Sequence, residues 1–262
     1  MRKEQWPISI PDFDMTGKTV IVTGGTKGIG YAISMMFAYY GANVVISSRH
    51  QEECDSVVEE IVQLGGNAMG IRSDVCHIAE IENLITTAIK RFGAIDVLIN
   101  NAGMALTNKI LDVDEASYAS VMDTNLKSVY FASKIAAREM MLQKSGGKII
   151  QIASIGGLKG TSGLSTYGAT KAAVINLTKT MALEWSRYNI CVNAICPGYV
   201  LTKINEKEFE SSKFRNHVLK QIPQHRLGSP DEIASIALFL ASDGANMLTG
   251  EAIVADMGST CG

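Results

Sequence analysis

Thr19-Val20-Ile21-Val22-Thr23-Gly24-Gly25-Thr26-Lys27-Gly28-Ile29-Gly30 is the stretch that decides the fold. A run apolar on both faces opens it, a glycine-rich turn follows, and an apolar helical segment continues through Tyr40. Glycines let such a turn take unusual backbone angles and let its backbone approach a pyrophosphate, while the helix start offers free N–H groups and the positive end of its dipole. A glycine pattern alone fits any tight turn. Placed directly after the first strand of a βαβ unit, it predicts a dinucleotide cradle made by Gly24, Thr26, Lys27, Gly28, Ile29 and Gly30.

Outward from this stretch, short β-branched runs recur at Val44–Ile46, Val97–Ile99, Ile149–Ile152 and Cys191–Ile195. Strands apolar on both faces belong to a parallel sheet covered by helices. Segments of helical period separate them, including Ile81, Leu84, Ile85 and Ala88, and a long one from about Ser117 to Met141 holding Val121, Leu126, Val129 and Phe131. Each reads as a crossover between parallel strands. The expected architecture is a doubly wound α/β sandwich, a parallel β-sheet with helices on both faces. No linker or composition shift divides the 262 residues, so one domain over 1–262 is expected, with a short polar arm over 1–14. The charged stretch at about 203–228, just after a strand end, is a candidate lid over a ligand.

Composition narrows the function classes. The net charge of −2, from 24 basic and 26 acidic residues mixed along the chain, offers no basic tract for nucleic acid and no polybasic membrane anchor. Five cysteines at irregular spacing, without a CxxC pair, suggest neither zinc nor a disulfide framework, and no metal is expected. Glu4 and Pro7 interrupt the opening segment where a secretory signal needs an apolar run, and no stretch reaches membrane-spanning length. A soluble, cytoplasmic protein with a small-molecule partner is expected.

The end of the second strand selects the dinucleotide. An NAD site offers an acid to the ribose about 20 residues after the glycines. Here the chain reads Ile46-Ser47-Ser48-Arg49-His50, and no Asp or Glu occurs from Gly30 to Gln51. The hydroxyl of Ser48, the guanidinium of Arg49 and Lys27 in the loop suit a 2′-phosphate, which predicts NADP(H). Ser73-Asp74-Val75 and Asn100-Asn101-Ala102-Gly103 close the next two strands, at the edge where open α/β sheets bind ligands. Asp74 suits either an adenine amino group or a helix N-cap. Ala102 and Gly103 let the backbone pass close to the adenosine.

Tyr167 and Lys171 stand four apart in Ser165-Thr166-Tyr167-Gly168-Ala169-Thr170-Lys171, with Ser154 upstream. Positions i and i+4 share a helix face, so phenol and ammonium can act on one small molecule. A free phenol titrates about three units above neutrality, at roughly 1.4 kcal/mol per unit. A fixed ammonium nearby is expected to lower that pKa.

Together these motifs resemble the short-chain dehydrogenase/reductase family, in its compact single-domain branch with a Rossmann-type fold. The resemblance runs from Gly17 to about Gly258 and rests on the glycine loop, Asn100 to Gly103, Asn125, Ser154, Tyr167 with Lys171, and Pro197-Gly198 followed by Thr202. It implies that Tyr167 exchanges a proton with the carbonyl oxygen as hydride moves to or from a nicotinamide. Lys171 is implied to bind the nicotinamide ribose, Ser154 to orient the carbonyl, and Asn125 to hold a relaying water. The backbone of Val200 is implied to meet the carboxamide, and the hydroxyl of Thr202 to lie near the phosphates.

The family includes carbonyl reductases, 3-oxoacyl reductases, hydroxysteroid dehydrogenases and sugar or gluconate dehydrogenases. Ile155, Leu158, Leu164 and Tyr199 favour a moderately apolar ketone or secondary alcohol. A dinucleotide sensor without turnover would lack part of the proton-transfer set, and every member is present here. An enoyl reductase of the divergent branch needs a longer tyrosine-to-lysine interval, and position 174 is Val174. Relatives commonly form homotetramers, with which the apolar stretch Ile175 to Leu183 is compatible; a homodimer is the alternative. The family's frequent Asp-Gly-Gly near the end is Asp256-Met257-Gly258 here, a departure expected to affect packing and not chemistry.

Overall fold

The computed structural model describes residues 12–203 and 205–261. Most of the expected N-terminal arm over 1–14 lies outside these residues. In chain order the elements are β1 (Thr19–Thr23), α1 (Gly28–Tyr39), β2 (Asn43–Ser48), α2 (Gln51–Gln63), β3 (Asn67–Arg72), α3 (Ile78–Phe92), β4 (Val97–Asn100), α4 (Glu115–Met122) and α5 (Ser128–Gln143). Then come β5 (Gly147–Ile152), α6 (Ser165–Trp185), β6 (Ile190–Pro197), α7 (Glu206–Glu210), α8 (Ser212–Leu219), α9 (Pro230–Ala241) and β7 (Ala252–Ala255).

The described strands form one parallel sheet in the order β3-β2-β1-β4-β5-β6-β7. The order reverses between β1 and β4, which opens a crevice at their C-terminal ends. The expected doubly wound architecture is what the chain adopts. Strand alternation feeds two cores: Val20, Val22, Val44 and Ile46 pack on one face with Ile33 and Phe37 of α1. Ile21, Val45 and Leu98 pack on the other with Leu84 and Ile85 of α3 and Ala136 of α5. Each of the fully buried Val, Ile, Leu and Phe side chains among these contributes roughly 2 kcal/mol.

Two strands, β3 and β7, are absent from the apolar runs that mark the other five. β3 (Asn-Ala-Met-Gly-Ile-Arg) and β7 lie at the sheet edges, where covering is incomplete and the sequence need not be apolar on both sides. The long pattern from Ser117 to Met141 is a single helical path interrupted by a π-turn over Asp123–Lys127, with the N–H of Ser128 donating to the carbonyl of Asp123. The Ser229 hydroxyl and the Glu232 carboxylate cap α9 reciprocally, with Pro230 at its first position. Of the stretch Ile175 to Leu183, Ile175, Met181 and Ala182 are buried within the monomer, and Leu183 is exposed.

Candidate active site

The glycine loop is closed by its own lack of side chains. A Cβ on Gly30 would lie 2.1 Å from the carbonyl oxygen of Gly24, and one on Gly24, whose φ is +64°, would lie 3.0 Å from Cα of Ala102. Beside it, Asn101 Nδ2 donates to the carbonyls of Thr23 (3.0 Å) and Gly24 (2.9 Å), and Thr23 Oγ1 accepts the N–H groups of Asn101 and Ala102. These contacts lock the ends of β1 and β4 together at the crevice. α1 begins after Lys27 with no side-chain cap, leaving the early amides of the helix free of a side-chain partner. The cradle therefore fits a pyrophosphate, and the residues present fit a nicotinamide dinucleotide.

At the C-terminal end of β2, Arg49 is exposed and Ser48 Oγ is engaged with the backbone of His50. Lys27 Nζ is paired with Glu53 Oε1 at 2.6 Å, a partner not anticipated from the loop or from β2. Asp74 caps no helix: its carboxylate accepts the N–H of Cys76 in a local turn, and α3 starts after His77. Burial pushes the Asp74 carboxyl up, but the Cys76 hydrogen bonds and the nearby His77 and Arg49 outweigh it and hold the group below its usual range. Val75 is buried against the α3 core.

On the other side of the crevice, β6 ends at Pro197, and Gly198 N–H donates to the carbonyl of Ala255. Val200 is buried, bridges to Gly228, and gives its carbonyl to Asn205 Nδ2. Asn205 Oδ1 accepts both the N–H and the hydroxyl of Thr202. Thr202 thus crosses above the glycine loop, its methyl 3.3 Å from the Cβ position of Gly28. Nothing in the sequence singled out Asn205, because it acts through backbone groups. The segment 203–228 folds as α7 and α8 over a small cluster of Phe209, Val218 and Ile222, packed against Tyr199, Leu227 and Met257.

Between these two sides lie Ser154, Tyr167, Lys171 and Asn125. Ser154 follows β5 and accepts the N–H of Gly156 at 3.0 Å; its Oγ and the Tyr167 ring flank Gly156, each 3.4 Å from where a Cβ on that glycine would stand. One turn along α6, the Lys171 ammonium lies 5.7 Å from the Tyr167 ring centre, is almost fully buried, and donates to the carbonyl of Ile152. Gly103 lies beside it: a Cβ there would make an ordinary contact, 3.6 Å from Nζ. Asn125 is fully buried in the π-turn, where its side chain accepts from Met104 N–H and donates to Met104 carbonyl, both at 2.8 Å. It also donates to Thr170 Oγ1. π-turns often mark functional positions, and this one carries Asn125.

The electrostatics differ from the expectation that Lys171 lowers the phenol's pKa. Burial pushes Tyr167 up, and the nearby Ser154 hydroxyl only partly offsets that. Burial likewise draws Lys171 down to about 8. In the chain alone desolvation dominates, because both groups are held out of water.

All of this falls within one sequence family. The family model described as "Enoyl-(Acyl carrier protein) reductase" matches residues 23–260. The chain belongs to the short-chain dehydrogenase/reductase family. The chain is 38% identical to an L-rhamnose 1-dehydrogenase (NAD(P)(+)) of Azotobacter vinelandii over 92% of its own length and 96% of the relative's. It is 36% identical to the 3-oxoacyl-(acyl-carrier-protein) reductase FabG of Chlamydia pneumoniae over 95% and 99%. Among solved structures, a short-chain type dehydrogenase/reductase from Mycobacterium marinum superposes with a TM-score of 0.90 at 34% identity, covering 95% of this chain and 98% of that one. A putative gluconate dehydrogenase from Agrobacterium tumefaciens also gives 0.90, at 31% identity and 94% and 97% coverage. The protein is thus a short-chain oxidoreductase of the kind that uses a nicotinamide cofactor on small molecules. No described helix is long and apolar enough to cross a membrane, and no group of metal-ligating side chains occurs among the described residues.

Proposed function

We propose that this short-chain reductase interconverts a small, moderately apolar ketone and its secondary alcohol with NADP(H). The observation that carries the reading is the convergence of the Ser154 hydroxyl and the Tyr167 ring, each 3.4 Å from the Cβ position of Gly156, beside the buried ammonium of Lys171. When bound, the dinucleotide supplies or accepts the hydride. The chain's own residues handle the proton: Tyr167 gives it to the carbonyl oxygen in reduction and takes it back in oxidation. Ser154 donates to that oxygen as negative charge builds. Lys171 holds the nicotinamide ribose, and a water beside Asn125 refills the proton.

Gly24, Thr26, Gly28, Ile29 and Gly30 hold the pyrophosphate, and Lys27, Ser48 and Arg49 serve the 2′-phosphate. Asp74, Val75, Asn101, Ala102 and Gly103 line the adenosine; Pro197, Gly198, Val200 and Thr202 line the nicotinamide. Ile155, Leu158, Leu164 and Tyr199 wall the substrate, with 203–228 as its lid in a single-domain protein. The similarity to rhamnose and gluconate dehydrogenases favours a second reading, a sugar substrate. We place the enzyme in the cytoplasm as a homotetramer or homodimer. The exposed Leu183 and Met247 supply apolar surface for assembly.

The test is a panel of ketones, alcohols and sugars assayed separately with NADPH and NADH, for the wild type and Tyr167→Phe. Ketone reduction should fall at least ~100-fold in the variant, with cofactor binding retained. Undiminished reduction would remove Tyr167 from the mechanism. Preferred oxidation of an aldose would establish the sugar reading.

A further inference from the structure

We propose that Glu53 sets the choice between NADP(H) and NAD(H): its carboxylate competes with a 2′-phosphate for Lys27 and offers an acceptor to a free ribose 2′-hydroxyl, so the chain uses both dinucleotides. The inference rests on the reading of Lys27 and Arg49 as 2′-phosphate ligands.

Glu53 lies outside the segment in which an acid was sought, since none occurs from Gly30 to Gln51. Yet it stands in the first turn of α2, two residues past Gln51, and its side chain reaches back to the glycine loop. Both carboxylate oxygens are used there: Oε1 pairs with Lys27 Nζ at 2.6 Å, and Oε2 accepts from Thr26 Oγ1 at 3.1 Å. Glu53 therefore spans the gap between the glycine loop and the end of β2, which is where the adenosine ribose lies in a doubly wound site. An acid in that gap is the group that receives the ribose hydroxyls of NAD.

The loop cation is already engaged: Lys27 faces Glu53 at 2.6 Å, while Arg49 at the end of β2 is exposed. A 2′-phosphate brings between one and two negative charges, so it must draw Lys27 away from Glu53 or share it. Lys27 and Glu53 keep 58% and 31% of their side-chain surface in water. A pair this exposed is weak, so the carboxylate lowers the affinity for NADP(H) without excluding it. If Glu53 did no more than fasten α2 to the loop, its loss would weaken both dinucleotides alike.

Dissociation constants of NADPH and NADH, and of 2′,5′-ADP against ADP, would be measured by fluorescence and calorimetry on the full chain. The set comprises the wild type, Glu53→Gln, Lys27→Gln, Arg49→Gln and the Glu53→Gln/Lys27→Gln pair. Glu53→Gln should tighten NADPH and 2′,5′-ADP about threefold and loosen NADH by a similar factor, moving the ratio about tenfold. With Lys27 already replaced, the gain in NADPH affinity should shrink to less than about twofold. Equal changes for both dinucleotides, or an unmoved ratio, would overturn the role of Glu53. Should Lys27→Gln and Arg49→Gln leave the ratio unmoved, the 2′-phosphate reading itself fails and takes this inference with it. Should those two shift the ratio while Glu53→Gln does not, only the inference fails.

Discussion

The ammonium of Lys171 donates to the main-chain carbonyl of Ile152 at 2.7 Å, so the base of α6 is tied to the last residue of β5. Because this group is fully enclosed, burial brings its pKa down to about 8. The unfolded chain then holds more protons than the folded one between pH 8 and the ordinary lysine range. Stability from this group is therefore fully present above that range and is lost as pH falls toward 8. Thermal unfolding scans over pH 7.5–10.5 are expected to give a more positive slope for the wild type than for Lys171→Met. Parallel slopes would mean that the ammonium is not desolvated.

Asn125 spends both ends of its amide on the backbone of Met104. Asn125→Ala leaves a buried N–H and carbonyl without partners, at a cost of about 2–3 kcal/mol. We expect a melting temperature lower by several degrees together with reduced kcat. Asn125→Asp, which keeps the acceptor for Met104 N–H but sets a buried carboxyl oxygen against the Met104 carbonyl, should restore none of the stability at neutral pH. Calorimetry with steady-state kinetics checks both.

Gly30 tolerates no side chain, since a Cβ would stand 2.1 Å from the Gly24 carbonyl. Gly30→Ala must open the loop, and NADPH affinity should fall at least ~10-fold. Equilibrium titration with NADPH reads this directly. Affinity within twofold of the wild type would show that the cradle can spread.

Met257 holds a left-handed backbone at φ +57° and sends its side chain under α7 and α8, against the cluster of Phe209, Val218 and Ile222. Met257→Ala loses the packing and keeps the strained backbone; Met257→Gly loses the packing and relaxes it. The glycine variant should be more stable than the alanine variant by about 1 kcal/mol. Both should be cleaved faster within 203–228 under limited proteolysis, and denaturant melts rank the two. A glycine variant less stable than the alanine one would show that the backbone there carries no strain.

By itself the sequence determined the fold, because strands apolar on both faces alternating with helical periods admit few arrangements other than a covered parallel sheet. It also named the glycine loop and the four candidate proton-transfer residues, since Ser154, Asn125, Tyr167 and Lys171 are carried by local spacing and family resemblance. The two edge strands stayed faint, as half-covered strands need no continuous apolar run. What only the tertiary structure decided is which groups meet across long stretches of chain. Glu53 reaching Lys27, Asn205 gathering Val200 and Thr202, and Asn125 clasping Met104 are such meetings. Desolvation belongs with them: the direction in which the pKa values of Tyr167 and Lys171 move depends on how much water the surrounding elements exclude, a property of the packed molecule that residue spacing does not encode.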